Sequence, residues 1–417
     1  MRSLDQLIRD LDARLAAADA ELAARYPGDR GVRQPVHTVY VPADRYDADT
    51  VPTWGRDARA VLEEHGGGPG GFADVLGLPA DLAEGVYARV HAKLGSEPIE
   101  DLRIDFEDGY GARPDADEDA TVTTAAAALA RSLADGTAAP FHGIRFKSFE
   151  APTRARGVRT LHRFVGELTT AGGMGEGFVL TLPKVTSVAQ VLAMVHACTG
   201  VEEAHGLAPG TLGFEIQVET PQSVLGSDGT VLVARMIQAA DGRCTGLHYG
   251  TYDYSAVCGI AAEYQSMEHP AADHAKAVMQ VAAAGTGVFV SDGSTNVLPV
   301  GDRDAVHAGW RLHARLVRRS LERGFYQGWD LHPAQLPSRF AATYAFYREG
   351  LPGATARLRA YLGGGDSGFL DEPATATALA GFVLRGVECG AVDESEVERL
   401  VDADLHRLSG LARRRPS

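Results

Sequence analysis

The run LGFEIQVETPQS, residues 212–223, reads as a strand up to Val218, then gives an acid, Glu219, and passes through Thr-Pro into a helical segment. A carboxylate that ends a largely apolar strand is costly without a cation or a donor, so its natural place is the open mouth of a parallel sheet. The same order of residues recurs in LHYGTYDYS, 247–255, where Asp253 closes the run. Working outward, short β-branched or aromatic runs alternate with Ala- and Leu-rich segments of helical period, the pattern of repeated βα units. Eight such runs are present: 36–42, 102–107, 143–149, 178–185, 212–219, 247–253, 288–293 and 329–333. Eight strands with intervening helices predict an α/β fold, a (β/α)8 TIM barrel. A doubly wound sheet competes, but it leaves no simple place for the last two strands.

The barrel is expected within residues 1–340, preceded by an N-terminal helix in which charged and apolar residues alternate at helical spacing, unlike a signal peptide. The glycine-rich stretch EHGGGPGGFAD, within an insertion over 62–100, reads as a flexible loop above the mouth. Residues 341–417 have helical composition and are expected to form an appendage or lid, hinged at GGGDSG, 363–368. In a chain of 417 residues, 45% hydrophobic content is ample for a core, and a formal charge of −15 disfavours nucleic acid and anionic membrane as partners. Cys198, Cys244, Cys258 and Cys389 are scattered without CxxC spacing, so they read as reduced packing residues and predict a cytoplasmic location.

Polar residues at the strand ends supply the candidate site. Glu219 and Asp253 are candidate ligands of Mg²⁺ or Mn²⁺, hard cations that accept carboxylate oxygens and keep waters for a substrate to displace. The alternative for either acid alone is a helix cap. LRIDFEDGYG delivers Asp105, Glu107 and Asp108 at the end of the second run, with Asp105 and Glu107 on one face. Arg145 and Lys184 stand in otherwise apolar third and fourth runs and need anions there. Arg145, a planar bidentate donor, suits a carboxylate or enolate oxygen. His332, His248, Tyr252 and Tyr254 read as packing or hydrogen-bonding residues. No GxSxG, Walker or GxGxxG loop of adequate context is present, which excludes serine hydrolase, P-loop and dinucleotide chemistries.

Taken in order, DFEDGYG, GIRF, LPKV, QVETPQS, GTYDYS and GWDLHPAQ resemble the citrate lyase β-subunit and malyl-CoA lyase branch of the HpcH/HpaI aldolase superfamily over roughly residues 36–340. The resemblance implies a TIM barrel, Mg²⁺ on Glu219 and Asp253, Arg145 on the substrate carbonyl, and the DFED acids beside the metal. It also implies a homo-oligomer, a trimer or hexamer, with a C-terminal lid. The expected activity is a Mg²⁺-dependent carbon–carbon lyase or aldolase reaction through an enolate. Its substrate is a small oxo or hydroxy acid or the CoA thioester of one, with Arg145, Asp105, Glu107, Asp108 and Lys184 as catalytic residues. Competing readings are a malate-synthase-like condensing transferase, a phosphoenolpyruvate-type isomerase and a noncatalytic metabolite-binding barrel.

Overall fold

The computed structural model describes residues 3–363 and 372–413. Eight parallel strands form the barrel: β1 (His37–Pro42), β2 (Asp101–Asp105), β3 (Phe141–Arg145), β4 (Phe178–Leu182), β5 (Gly213–Val218), β6 (Cys244–Tyr249), β7 (Phe289–Ser291) and β8 (Gly328–Asp330). They pair in the order β7-β6-β5-β4-β3-β2-β1-β8. The ring closes between β7 and β8 through the Asp292 N–H on the Gln327 carbonyl at 2.8 Å and the Trp329 N–H on the Gly293 carbonyl at 3.1 Å. Each of the eight predicted runs overlaps one strand, although β2, β3, β6 and β8 begin one to three residues ahead of their runs.

Before the barrel comes α1 (Leu4–Arg25), and between β1 and β2 come α2 (Thr50–His65), α3 (Gly68–Leu76) and α4 (Ala83–Ser96). The outer layer continues with α5 (Asp115–Ala134), α6 (Arg154–Thr170), α7 (Val188–His205), α8 (Pro221–Val224), α9 (Leu232–Ala239), α10 (Thr251–Val257), α11 (Pro270–Ala283) and α12 (Arg303–Glu322). After β8 come α13 (Leu336–Gly363), α14 (Pro373–Glu388), α15 (Glu394–Val401) and α16 (Leu405–Ala412). Among the described residues, no helix is long and apolar enough to cross a membrane.

Strand alternation sorts the side chains into two populations. Val39, Ile104, Ile144, Leu180, Ile216 and Leu247 join Val122, Phe164, Val191 and Met236 of the surrounding helices in one apolar cluster. The intervening positions are buried and polar: Asp101, Arg103, Asp105, Arg145, Thr181, Glu215, Gln217 and His248. The wall of the barrel is therefore apolar and its interior is ionic.

The glycine-rich insertion departs from expectation. Residues 68–76 are helical, and Phe72 packs edge-on against Trp310 of α12 with ring centroids 5.2 Å apart. Burial of that aromatic face outweighs the poor helix propensity of glycine. Phe72, Val86, Val90, Trp310, Phe340, Tyr344, Ala380, Val383 and Leu408 share a second apolar core, which joins the insertion to the appendage. The expected division at 340/341 falls inside the continuous helix α13. The apolar face of α14 is buried on α13 of its own chain, where Phe382 meets Tyr347 at 5.1 Å, and Arg385 of α14 stacks at 4.5 Å on Tyr326, just before β8. Arg413 donates to the Gly31 carbonyl at 2.8 Å, on the segment that leads into β1. Within one chain the appendage thus builds wall rather than lid, and most of the expected hinge at 363–368 lies outside the described residues.

Candidate active site at the mouth of the barrel

Arg145 is the centre of the constellation at the carboxyl ends of the strands. Its Nε and Nη2 each donate to Asp105, to Oδ1 and Oδ2 at 2.7 Å, so the two ends of paired strands are clamped side by side. Asp105 also accepts from the Glu107 N–H at 2.9 Å and the Gly109 N–H at 2.8 Å. Gly109 is required there, since a Cβ at that position would lie 2.6 Å from Asp105 Oδ2. All the acceptor capacity of Asp105 that faces the mouth is thereby used. The free end of the guanidinium is Nη1, which lies 3.5 Å from Glu107 Oε2. The guanidinium carbon sits 4.7 Å from the centre of the Tyr40 ring.

Lys184 follows β4 with a left-handed backbone, φ 52°, a conformation costly for a residue with a Cβ. The turn directs its N–H to Glu219 Oε1 at 2.6 Å, while its ammonium bridges Glu107 Oε1 and Asp108 Oδ2, each at 2.6 Å. One residue therefore ties the acids after β2 to the acid after β5. Burial pulls the Lys184 ammonium down, but Glu219, Glu107 and Asp108 outweigh it and hold the group firmly protonated.

Glu219 is 1% exposed, directly after β5. Burial pushes its carboxyl up to about 7, against the pull of Lys184 and Arg145 and with the help of Asp253 and Glu107. Gly250 makes room for it, because a Cβ there would stand 2.5 Å from the Glu219 Cβ. Asp253 does not end a strand: β6 stops at Tyr249, and Asp253 is an exposed acid in the first turn of α10. No side chain caps that helix. Glu107 is pushed up to about 6, by burial and by Asp108, against the pull of Arg145 and Lys184. Burial also pushes on Asp108, but hydrogen bonds from Glu107 and Lys184 hold its carboxyl below the usual range.

Sequence reading missed Tyr40 and Gln217. With its amide turned to suit both neighbours, Gln217 donates to Glu219 Oε1 at 3.2 Å and accepts from Arg145 Nη1 at 3.3 Å. The signal was available, since Glu215, Gln217 and Glu219 stand at alternate positions of one strand and so face one way. His332 serves as a local cap, its Nδ1 accepting from the Ala334 N–H at 3.1 Å, and Tyr252 Oη accepts from the Asn296 N–H at 2.6 Å. His248 sits below the mouth, with Nε2 3.1 Å from Glu215 Oε1.

Five carboxylates, Asp105, Glu107, Asp108, Glu219 and Asp253, are thus matched at the mouth by two fixed cations, Arg145 and Lys184. Among the described residues, no group of three or more His, Cys, Asp or Glu side chains is placed to hold a metal. A pair of carboxylates with the remaining positions left to water suits Mg²⁺ or Mn²⁺ better than a softer ion. Glu219 and Asp253 fit that requirement: one is buried and raised by that burial to about 7, and the other is close enough to add to the shift and is open to solvent.

The model of a family described as a domain of unknown function, DUF6986, matches residues 15–416, and the chain belongs to that family. No curated protein matches it. Its fold is similar to that of a citrate lyase from Burkholderia xenovorans LB400, with 16% identity, TM-score 0.58, and coverage of 92% of this chain and 99% of that one. It is similar also to a malate synthase from Haloferax volcanii, with 15% identity, TM-score 0.50, and coverage of 87% and 88%.

Proposed function

We propose that this member of the DUF6986 family is a divalent-metal-dependent carbon–carbon lyase of the aldolase type, acting on a small oxo or hydroxy acid or its CoA thioester. The observation that carries the reading is the surplus of carboxylates over cations at the mouth, centred on Glu219. Burial, with the help of Asp253 and Glu107, raises that carboxyl to about 7, so that a cation joining it would favour its ionised form. The citrate lyase fold and the ordered strand-end motifs support the same chemistry. Glu219 and Asp253 would hold Mg²⁺ or Mn²⁺, whose role when bound is to polarise the oxygens of the substrate acid.

The chain's own residues supply the rest. Arg145 is fixed by Asp105 before any ligand arrives, so its Nη1 offers a preorganised donor to the oxygen on which negative charge develops as the C–C bond breaks. Asp105 is a positioning residue, saturated by Arg145 and two backbone N–H groups. Glu107, raised to about 6 and held by Lys184, is the acid suited to giving and taking the proton at the enolate carbon. Lys184 keeps Glu107, Asp108 and Glu219 in register.

The test has two parts. Glu219→Gln and Asp253→Asn should each abolish measurable Mg²⁺ binding by calorimetry while circular dichroism stays unchanged. The intact protein should cleave at least one member of a panel of small hydroxy acids and their CoA esters only when Mg²⁺ or Mn²⁺ is present. Unchanged Mg²⁺ titrations in both variants overturn the metal assignment, and metal binding without turnover of any C–C substrate overturns the reaction.

A further inference from the structure

Helix α1 is 22 residues long and buries none of them in its own chain. Near its end, Gln238 of α9 donates to the Arg25 carbonyl at 3.5 Å. Leu4, Ile8, Leu11, Leu15 and Leu22 are 71%, 47%, 48%, 51% and 61% exposed. An isolated helix of this length is marginal in water, and helices in proteins draw most of their stability from an apolar face packed against something. The anchor of α1 lies past its end, where the Gly28 N–H donates to the Gly285 carbonyl at 2.8 Å.

The spacing of the apolar residues identifies the kind of surface that would cover it. Leu4, Ile8, Leu11, Leu15, Ala18 and Leu22 follow steps of 4, 3, 4, 3 and 4, which is a heptad seam running nearly the whole length of the helix. Ile8, Leu15 and Leu22 take the a positions, and Leu4, Leu11 and Ala18 the d positions. Charges beside the seam choose the orientation. The e positions are all acidic, Asp5, Asp12 and Asp19, while the g positions are Leu7, which widens the apolar seam, Arg14 and Glu21. In an antiparallel pair e faces e, setting Asp12 against Asp12 and Asp5 against Asp19. In a parallel pair g faces the following e of the other helix, setting Arg14 against Asp19 twice. Ile8 at a between Leu4 and Leu11 at d is the pattern that suits two strands.

We propose that α1 is a dimerisation helix: two copies of the chain pair through a parallel, in-register coiled coil of their α1 segments, which holds two barrels together independently of any barrel-to-barrel contact. A second copy of α1 supplies the same heptad period and, in the parallel arrangement, sets Arg14 against Asp19 on both sides of the seam.

The test uses the full chain. None of the α1 residues is buried, so Leu11→Glu with Leu15→Glu should leave the barrel's melting temperature unchanged. It should halve the mass of the native assembly in sedimentation and weaken association on the order of a hundredfold or more. Arg14→Asp should weaken pairing, and adding Asp19→Arg should restore it. In a Cys258→Ser background, which removes the exposed thiol, Ala18→Cys should cross-link to its own copy under mild oxidation, as residue 18 meets residue 18 only in the parallel arrangement. An assembly mass that is unchanged by the double Glu variant, or falls to a third, overturns the proposal. So does a chain that is monomeric from the start, or an Ala18→Cys chain that stays uncrosslinked while it remains associated.

Discussion

The interior of this barrel holds two ionic layers built from the same residue types, and they differ in how large an excess of carboxylate over fixed cation each one carries. In the lower layer Arg103 of β2 donates to Thr181 Oγ1 at 3.1 Å, to Glu215 Oε2 at 2.9 Å and to Asp101. Asp101 accepts from Thr38 at 2.8 Å. Although burial pushes Glu215 up, Arg103 and His248 hold it down at about 2. Asp101 is pushed up by burial and by Glu215, against the pull of Arg103, so the two carboxylates there divide one guanidinium between them and exceed it by one. In the upper layer, one strand turn higher, five carboxylates share two cations, and both Glu219 and Glu107 are raised above their ordinary range. An excess of one carboxylate, hydrogen-bonded from both sides, holds strands together; an excess of three at an open mouth is suited to taking up a cation. Burial does not distinguish the layers, since Arg103 is 1% and Arg145 6% exposed. Charge balance does.

Breaking the lower layer should therefore have the largest effect and should fall on stability alone. Arg103→Met strands two buried carboxylates, and removing one partner from such a cluster costs about 3–5 kcal/mol. The variant should melt far below the parent, while any Mg²⁺ binding that survives at low temperature keeps its affinity. A normal melting temperature would remove the distinction between the layers.

Next in size is the pH response of the upper layer. The folded value for Glu219, about 7, lies above its ordinary 4.5, so the metal-free fold binds a proton that the unfolded chain has released. That contribution is fully present below 4.5 and is lost as the pH rises through 7, at about 1.4 kcal/mol per unit and about 3 kcal/mol in all. Metal binding needs the ionised form, so affinity should rise about tenfold per unit up to pH 7 and then level, with a proton released on binding. Calorimetry in buffers of different ionisation enthalpy counts that proton directly; a pH-independent affinity would contradict the assignment of Glu219.

Arg145→Lys comes third. A lysine keeps the charge opposite Asp105 but cannot fill two carboxylate oxygens and still present a further donor to the mouth. Turnover should fall on the order of a hundredfold with only a modest loss of stability. Full activity with a large drop in melting temperature would move Arg145 into the structural class of Arg103.

These differences bear on what a sequence can disclose. The eight strands were legible because each run is a short β-branched or aromatic stretch bounded by helical composition, and the acids at their ends stood out against apolar surroundings. The inner face of β5 was equally legible in principle, as Glu215, Gln217 and Glu219 alternate on one strand. It went unread beyond Glu219 because a buried Glu below the mouth has a purpose only once Arg103 is known to reach it from β2. The helix over 68–76 was hidden for a different reason: its glycines argue locally for a loop, and the Trp310 ring that stabilises it stands more than two hundred residues away. Asp253 was misplaced by one element because the chain turns into α10 at Thr251, directly after the Gly250 N–H makes the last bond to the Val218 carbonyl at 3.1 Å, and nothing in TYDYS marks that turn locally. Residue type and period are local properties; charge balance depends on register across the barrel.

The smallest expected effect comes from the residue between the layers. Gln217 is fully buried, donates to Tyr40 Oη at 3.4 Å in one amide orientation, and in the other joins Glu219 Oε1 to Arg145 Nη1. Gln217→Met keeps the volume, leaves Arg103 and its partners untouched, and removes one neutral donor from the ionised form of Glu219. A hydrogen bond of this kind contributes about 0.5–1.5 kcal/mol, so Mg²⁺ affinity at pH 6 should fall about threefold to tenfold. The cause is a further rise of the Glu219 carboxyl, so the loss should shrink toward nothing by pH 9, where the group is ionised with or without Gln217. A deficit of the same size at every pH would mean that Gln217 acts on the shape of the site rather than on the charge of Glu219, and the two layers would then be coupled through packing.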